Sequence, residues 1–430
     1  MTGLERHTEG SANRDRHPTA RPDSQRFPGT LPIVRLTDVE AQLDMKRLRA
    51  YRLGRVRQEL KRRGIAACLL FDPINIRYAT GRRDAPLFMM HVSSGYLFLP
   101  VDGTVVLFGH SAEADIGLET IDEIRAQVEL SHFLAGERTE TNIQRCSHEI
   151  ADLARHHCAG GSPLAIDRCD LRAAAALGHR GLKLTDAQEA LERARAIKAP
   201  EEVACMTYAI AVAEVGLARM RAALRPGMTE NELWSILHQT NIAMGGEWIE
   251  GRLLVSGDRI NPWFHECSDR MIRAGELVAF DTDMVGPFGY CADISRTYFC
   301  APGRPSALQR DLYKMAFEEL HHNLELVKPG ASFAEIAAQA WQPPGRIVNR
   351  YVLSMHGIGL CDEYPCIYHL KDWETKGLEG VIEENMTLCV ESFIGPADSR
   401  EGVKLEQQVH VTGTGARLLS SFPFEEELLT

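Results

Sequence analysis

Hydrophobic and polar positions along the chain repeat with two different periods, and each change of period marks a predicted element. Residues 39–64 carry apolar positions at helical spacing and end at Gly64, which predicts a helix. The apolar run IAACLLF follows and predicts a buried strand. Two β-rich runs around Asp102-Gly103, in SGYLFLPVDGTVVLFG, predict a hairpin. Helices and short strands alternate to about residue 175, so we expect an α/β domain of modest size.

A helix–helix–strand pattern then occurs twice in the second half of the chain. Residues 201–233 contain a long helical pattern, a turn, and a capped helix start at Thr229. Residues 306–336 repeat this order, with Ser332 at the start of the second helix. A strand-rich segment with acidic residues follows each copy. We expect two halves related by a pseudo-twofold axis with a site between them, although two unrelated helical hairpins remain an alternative.

These patterns divide the chain into three predicted segments of an α+β protein. Residues 1–40 are a polar tail, residues 41–184 form the α/β domain, and residues 185–430 form the second domain. A helix predicted over 185–198 bridges the two domains.

Composition and charge exclude several classes of function. The 430 residues are 44% hydrophobic and 25% charged, which is typical of soluble globular proteins. The net charge of −11 argues against a nucleic-acid partner, and the basic stretch 47–64 is interpreted as a solvated helix face. No run of 18 apolar residues and no apolar signal core are seen, so we expect no membrane partner. The odd number of cysteines, 11, without a C-x-x-C pair favours reduced thiols and a cytoplasmic location.

The strongest signal for a metal site lies in the segment 276–300, ELVAFDTDMVGPFGYCADISRTYFC. The apolar strand LVAF leads directly into Asp281 and Asp283, and strand alternation predicts that both carboxylates point to one side. Asp293 comes back after a turn and is expected near the first two. Three converging carboxylates repel one another unless a divalent cation lies between them. Solvated loop acids are the alternative.

Matching polar residues follow in the second repeat. Glu391 lies inside the apolar strand LCVESF, and Glu406 lies in the alternating strand VKLEQQVHVTG. A glutamate inside a strand is costly unless it is paired or binds an ion. His356 lies in the strand-like segment VLSMHGIGL, where it is either a core histidine or a ligand. One imidazole among carboxylates suits Mn, Fe, Co or Zn in a two-metal cluster.

Motifs along residues 45–425 together resemble the pita-bread family of creatinase, prolidase, aminopeptidase P and methionine aminopeptidase. These motifs are NIRYATG, AIKAPEEVACM, RPGMTENEL, NPWFH, DRMIRAGELVAFD, HGIGL, VESF and VKLE. The resemblance implies a creatinase-type α/β domain at 41–184, a pita-bread catalytic domain at 185–430, and a homodimer. It also implies two divalent metal ions with six ligands: Asp281, Asp283, Asp293, His356, Glu391 and Glu406.

Two features depart from the peptidases of this family. The segment DTD offers two aspartates where the peptidases have one, and neither has the usual spacing to Asp293. The peptidases also follow HGIGL with a histidine in an H-E-x-P element, which stabilises the oxyanion during hydrolysis. Here the element is DEYP, so Asp362 stands in its place. An ionised carboxylate only accepts hydrogen bonds, which favours a general base over an oxyanion donor.

This pattern resembles the branch of the family that cleaves dimethylsulfoniopropionate, a small zwitterion, to dimethyl sulfide and acrylate. That resemblance implies β-elimination with Asp362 as the base, and iron as the metal. A sulfonium head favours aromatic faces through cation–π attraction. The candidate substrate-binding residues are Tyr351, Tyr364, Trp263, Trp373 and, from the NPWFH motif, His265.

Three other functions remain open on the sequence. A prolidase or aminopeptidase P type of metallopeptidase keeps the metals but is expected to carry the second histidine. A creatinase-like amidinohydrolase shares the fold and a small zwitterionic substrate but generally lacks a full metal set. A non-catalytic binding protein is expected to have lost ligand carboxylates, whereas all ligand types are present here.

Overall fold

The structure, a computed structural model, describes residues 42–83, 85–92, 94–109, 118–344 and 348–430. The polar tail predicted over residues 1–40 lies outside the described residues. The described part of the chain belongs to one compact unit.

This unit contains both helices and strands. The α-helices are α1 (Met45–Arg62), α2 (Pro73–Thr80), α3 (Pro86–His91), α4 (His132–Ala135), α5 (Thr139–His157), α6 (Leu171–His179), α7 (Gln188–Ala196), α8 (Pro200–Ala223), α9 (Glu230–Ala243), α10 (Ala307–Leu326), α11 (Phe333–Gln339), α12 (Trp373–Lys376) and α13 (Glu426–Leu429). The strands are β1 (Ala67–Leu70), β2 (Tyr96–Pro100), β3 (Val106–Gly109), β4 (Glu123–Ala126), β5 (Leu164–Ile166), β6 (Leu184–Asp186), β7 (Trp248–Ile249), β8 (Leu254–Ser256), β9 (Leu277–Phe280), β10 (Met284–Val285), β11 (Cys291–Ala292), β12 (Arg296–Phe299), β13 (Val348–Asn349), β14 (Met355–Ile358), β15 (Asp362–Ile367), β16 (Thr387–Pro396), β17 (Val403–Thr412) and β18 (Gly415–Leu418).

The first six strands form a mixed sheet in the order β4-β3-β2-β1-β5-β6. The predicted hairpin is confirmed, because β2 pairs antiparallel with β3. The first helix is also confirmed from Met45: Asp44 caps its N-terminus by accepting from the backbone N–H of Arg47 at 2.9 Å. The helix predicted over 185–198 is confirmed only from Gln188 to Ala196, since Leu184–Asp186 pairs with β5 and extends the sheet instead.

The repeated helix–helix–strand pattern is present in the second half. Thr229 caps α9 and Ser332 caps α11, each through a reciprocal contact with a glutamate three residues later. The first repeat leads into the small sheet β12-β9-β8, and the second leads into the sheet β15-β14-β16-β17-β18. The described residues therefore form an α+β protein with the repeated pattern that the sequence predicts.

Of the described helices, α8 is long and apolar enough to cross a membrane by length and composition alone. The core helix of a soluble protein meets the same criterion, and 56% of the most apolar window of α8 is buried inside the protein. Met206, Ala209 and Leu217 on this helix are fully buried in hydrophobic clusters, so α8 has the packing of a core helix.

Candidate active site

Three neighbouring strands of the second large sheet carry polar side chains in their interior. Glu391 on β16 lies directly opposite Glu406 on β17. On the other side of β16, His356 on β14 lies opposite Cys389. All four of these side chains are buried. Because residues two apart on a strand share a face, Cys389 and Glu391 approach the same centre from β16.

The three aspartates reach this centre from the smaller sheet. The three aspartates converge, as predicted. Strand alternation is not the cause, because β9 ends at Phe280 and both Asp281 and Asp283 lie beyond its end. Asp283 has a φ of 36°, in the left-handed region that non-glycine residues seldom adopt. Its backbone N–H donates to Asp293 Oδ1 at 3.3 Å. A tight turn after the strand therefore brings Asp281, Asp283 and Asp293 together.

The six residues implied as ligands fall into overlapping clusters. In each cluster the potential ligand atoms lie within 4.8 Å of one another. The clusters are Asp293 with His356, Cys389 and Glu406; Asp281 with Asp283 and Asp293; and Asp281 with Glu391 and Glu406. Cys389 is the member that the sequence interpretation did not include.

Lys404 is a second residue that the sequence interpretation missed. Its side chain is fully buried, and its ammonium nitrogen lies 2.9 Å from Asp281, 2.5 Å from Glu391 and 3.2 Å from Glu406. These are the three carboxylates of one cluster. Ser295 accepts a further hydrogen bond from the same ammonium at 2.7 Å. Lys404 stands two residues before Glu406 in an alternating strand, so its position on the same face was the available signal.

The carboxylates that Lys404 does not neutralise are electrostatically unfavourable as anions. Burial raises the pKa of Asp293, and neighbouring Glu406 and Asp281 raise it further. Burial also raises the pKa of Asp281, but Lys404 and hydrogen-bonding neighbours hold it below its usual range. Glu406 Oε1 is buried and has no hydrogen-bond partner among the described residues. An unpartnered buried oxygen and an excess of anionic donors fit a bound divalent cation.

Beside this centre lies a cavity of about 460 Å³ that Asp362 lines. The Asp362 carboxylate is 60% exposed, and its Oδ1 lies 3.5 Å from His356 Nδ1. The next residue, Glu363, is buried and pairs with Lys198 and, at 3.1 Å, with Arg195. This anchor fixes β15 so that Asp362, its first residue, faces the cavity.

Aromatic and aliphatic side chains form much of the remaining wall. Tyr351 and Tyr364, both predicted to contact substrate, line the cavity. Tyr351 precedes β14 rather than belonging to it, so strand alternation does not turn its ring away from His356. Phe264, which the sequence interpretation missed, has its ring centroid 5.3 Å from that of Tyr351 and has a φ of 75°. Its position beside His265 in NPWFH was the only signal in the sequence.

Three predicted substrate residues lie elsewhere. Trp263 is buried in the hydrophobic core, with its ring 5.6 Å from that of Phe393. The exposed ring of His265 has its Nδ1 3.0 Å from the carbonyl oxygen of Arg259. Trp373 is half-buried and packs against the same core. None of the three is among the cavity-lining residues. For Trp263 and His265, the turn at Phe264 directs these neighbouring side chains to other faces.

Comparison with known proteins gives consistent results along most of the chain. Residues 204–413 match the metallopeptidase family M24, and residues 52–197 match the creatinase/prolidase N-terminal domain. The dimethylsulfoniopropionate lyases DddP of Roseovarius nubinhibens and Roseobacter denitrificans are each 34% identical to this chain over 394 residues. Each match covers 90% of this chain and 88% of the relative.

Solved structures show the same fold at lower identity. The Xaa-Pro dipeptidase from Bacillus anthracis superposes with a TM-score of 0.70 and 20% identity, covering 88% of this chain and 99% of its own. The prolidase from Pyrococcus horikoshii gives a TM-score of 0.69 at 20% identity, covering 88% and 99%. These structures support the architecture alone.

Proposed function

The chain belongs to the metallopeptidase family M24, and from this we propose that it is a lyase that cleaves dimethylsulfoniopropionate to dimethyl sulfide and acrylate. Members of this family bind divalent metal ions, and the buried cluster of acids with His356 provides the donors for them. The observation that carries the proposal is the Asp362 carboxylate, which is exposed to a cavity that His356, one member of that cluster, also lines. The two lyases that are 34% identical to this chain give the proposal its substrate.

The donor set fits two divalent ions together with Lys404. The ammonium already offsets one of the three negative charges in the cluster of Asp281, Glu391 and Glu406. The two other clusters would hold the ions, one with Asp283 and one with His356. Five carboxylates are then balanced by two divalent ions and one ammonium. Iron is the ion we propose, and Mn, Co and Zn suit the same mixture of oxygen and imidazole donors. When bound, the ions supply Lewis-acid stabilisation of the charge that develops on the substrate carboxylate.

Asp362 acts as the general base in this proposal. Its carboxylate removes the proton on the carbon next to the substrate carboxylate. The electron pair of that C–H bond forms the C=C bond of acrylate, and the C–S bond breaks as sulfur leaves with its bonding pair. Although much of the Asp362 side chain is exposed to the cavity, the surrounding protein partly desolvates its carboxylate and so raises its pKa; the nearby His356 lowers this pKa and Glu391 raises it, with a net increase. A raised pKa makes the carboxylate a stronger base near neutral pH.

The cavity wall suits a small sulfonium cation. The faces of Phe264 and Tyr351 lie together at the cavity, and Val352, Leu353 and Leu378 add an apolar surface. Such a surface holds a dimethylsulfonium head away from water, while cation–π attraction contributes about 0.5–2 kcal/mol. The opposite end of the substrate would then face the polar cluster, which places the acidic carbon near Asp362.

Headspace detection of dimethyl sulfide tests the proposal directly. Purified protein, loaded with iron or another divalent metal, is supplied with dimethylsulfoniopropionate in one series and with Xaa-Pro dipeptides in another. We expect volatile sulfide and acrylate in equal amounts, and no release of proline. Proline release without sulfide would instead establish the peptidase activity that the fold and metal donors also permit.

A further inference from the structure

A cysteine lies among the donors of the metal centre, at a position that the resemblance to the family does not assign. Cys389 stands two residues before Glu391 on β16, and its sulfur lies 3.7 Å from Asp293 Oδ2. Together with His356 and Glu406, these two residues form the only four-residue donor cluster found among the described residues, and all four side chains are buried. The sulfur thus lies within ligand range of one imidazole and two carboxylates.

Two further observations indicate that this cluster is arranged for a ligand. Glu406 Oε1 is fully buried, lies 3.8 Å from His356 Nε2, and has no hydrogen-bond partner among the described residues. On the other side of the ring, His356 Nδ1 lies 3.1 Å from the carbonyl oxygen of Gly357. A hydrogen bond donated to this carbonyl keeps the ring proton on Nδ1 and leaves Nε2 free to bind a metal.

We propose that Cys389 is a thiolate ligand of the metal held by Asp293, His356 and Glu406. One S–metal bond forms, the S–H bond breaks, and the proton leaves to solvent. A thiolate with an imidazole favours borderline or soft divalent ions such as Fe, Co and Zn. Oxygen-seeking ions such as Mg and Mn gain little from sulfur. Cys389 therefore makes this half of the centre selective for the softer metals.

The inference rests on the proposed metal centre but not on the proposed substrate.

Cobalt is a suitable probe because a thiolate bound to Co²⁺ gives an intense near-ultraviolet charge-transfer band, whereas carboxylate and imidazole ligands do not. The full-length protein, freed of metal with a chelator, is titrated with Co²⁺ while absorbance and bound cobalt are both measured. We expect the band to grow in proportion to cobalt bound at the cluster.

Cys291 provides a matched control. It is buried in the same small apolar cluster as Cys389, yet it belongs to none of the donor clusters. We expect Cys291→Ser to keep the charge-transfer band and Cys389→Ser to lose it completely. We also expect Cys389→Ser to bind Co²⁺ about tenfold or more weakly, since loss of even an outer-shell partner costs about 10–100-fold. The affinity for Mn²⁺ should change much less.

Several results would overturn the assignment. Wild-type protein that binds cobalt without the band shows that no thiolate is bound, whatever the variants do. A band that persists in Cys389→Ser shows that another cysteine is the ligand. If Cys389→Ser does not fold, as judged by circular dichroism, Cys389→Thr replaces it, because a β-branched residue suits a strand. Absence of any cobalt binding removes both this inference and the metal centre, whereas the dimethyl sulfide assay reports on the substrate separately.

Discussion

The ammonium of Lys404 lies 2.9 Å from the carboxylate of Asp281, and both side chains are buried in the centre of the protein. The pair links β17 to the turn after β9, so one charge contact joins the two sheets that supply the metal donors. Lys404 also stands between Glu391 and Glu406, which would otherwise repel each other across neighbouring strands.

Replacement of Lys404 tests this role. We expect Lys404→Met to lower the free energy of unfolding of the metal-free protein by about 3–5 kcal/mol, because it leaves buried carboxylates without their partner. Lys404→Arg keeps the charge and should lose less. Urea denaturation measures both variants. A loss below about 1 kcal/mol in Lys404→Met would show that the carboxylates are neutral in the folded apoprotein.

Asp293 belongs to two of the donor clusters, so its loss should affect both metal positions. We expect Asp293→Ala to lose most of the bound metal after purification and desalting, as measured by elemental analysis. Asp258→Ala is the control, because that side chain is 72% exposed and lies outside the clusters. Unchanged metal content in Asp293→Ala would argue against the proposed arrangement of ions.

Replacement of Asp362 should lower the rate of the reaction without lowering the metal content. We expect Asp362→Asn to lower kcat for dimethyl sulfide release by about 10²–10⁴, the usual contribution of a positioned base. Metal content and the melting temperature should stay near those of the wild type, since this side chain is largely exposed to the cavity. The exposed Asp398 supplies the matched variant Asp398→Asn. Full activity in Asp362→Asn would assign proton abstraction to another group.

The aromatic faces of Tyr351 and Phe264 should control the affinity for the sulfonium head. We expect Tyr351→Ala to raise KM by roughly 2- to 30-fold, which corresponds to the cation–π range of about 0.5–2 kcal/mol. Tyr351→Phe keeps the ring and should change KM little. Phe264→Leu keeps an apolar side chain and isolates the contribution of the second ring. Equal KM values in Tyr351→Ala and Tyr351→Phe would place the sulfonium elsewhere.

His369 gives the protein a specific loss of stability in acid. Burial lowers its pKa to about 3, and the neighbouring Arg350 and Lys371 contribute. The unfolded chain therefore binds a proton below pH of about 6.5 while the folded ring stays neutral, so stability falls as pH decreases from about 6.5 to about 3. The contribution approaches about 1.4 kcal/mol per pH unit within that window.

Urea denaturation between pH of about 7 and 5 measures this dependence. We expect His369→Gln to show a shallower decrease than the wild type, because glutamine does not titrate. His265→Gln is the matched control, since that ring is exposed. Equal slopes in wild type and His369→Gln would show that His369 has the same pKa in the folded and the unfolded chain. His369 Nε2 lies 3.0 Å from the carbonyl oxygen of Tyr351, which lines the cavity. We therefore expect the loss of stability at low pH to affect the cavity wall as well.

Much of the architecture follows from local pattern. The hairpin β2–β3, the capped starts at Thr229 and Ser332, and the strands that carry Glu391 and Glu406 were all predictable, because each depends on periodicity or on turn chemistry within a few residues. The set of converging acids was predictable for the same reason: isolated glutamates inside apolar strands need a partner.

The errors arise where contacts between distant segments decide the outcome. The spacing of Lys404 and Glu406 on one strand was a local signal, but the other two partners, Asp281 and Glu391, come from distant segments, and no local pattern shows that they meet Lys404. Trp263 was a candidate because its aromatic face suits a sulfonium cation, but the sequence does not show which face of a turn its side chain takes. The aromatic neighbour of Tyr351 is instead Phe264, which directly follows Trp263 in the chain. No hydrophobic pattern indicates the backbone conformation of Phe264.

The buried contact of Glu363 with Arg195 and Lys198 makes the two halves of the chain interdependent. Both cations precede the M24 segment, whereas Glu363 immediately follows the proposed base. A truncated gene that starts at residue 204 would leave this carboxylate without a counter-charge, and β15 would lose the anchor that sets the direction of Asp362. The segment just before residue 204 is thus a structural support of the proposed catalytic site, and domain-swapped chimaeras within the family should retain both cations to stay active.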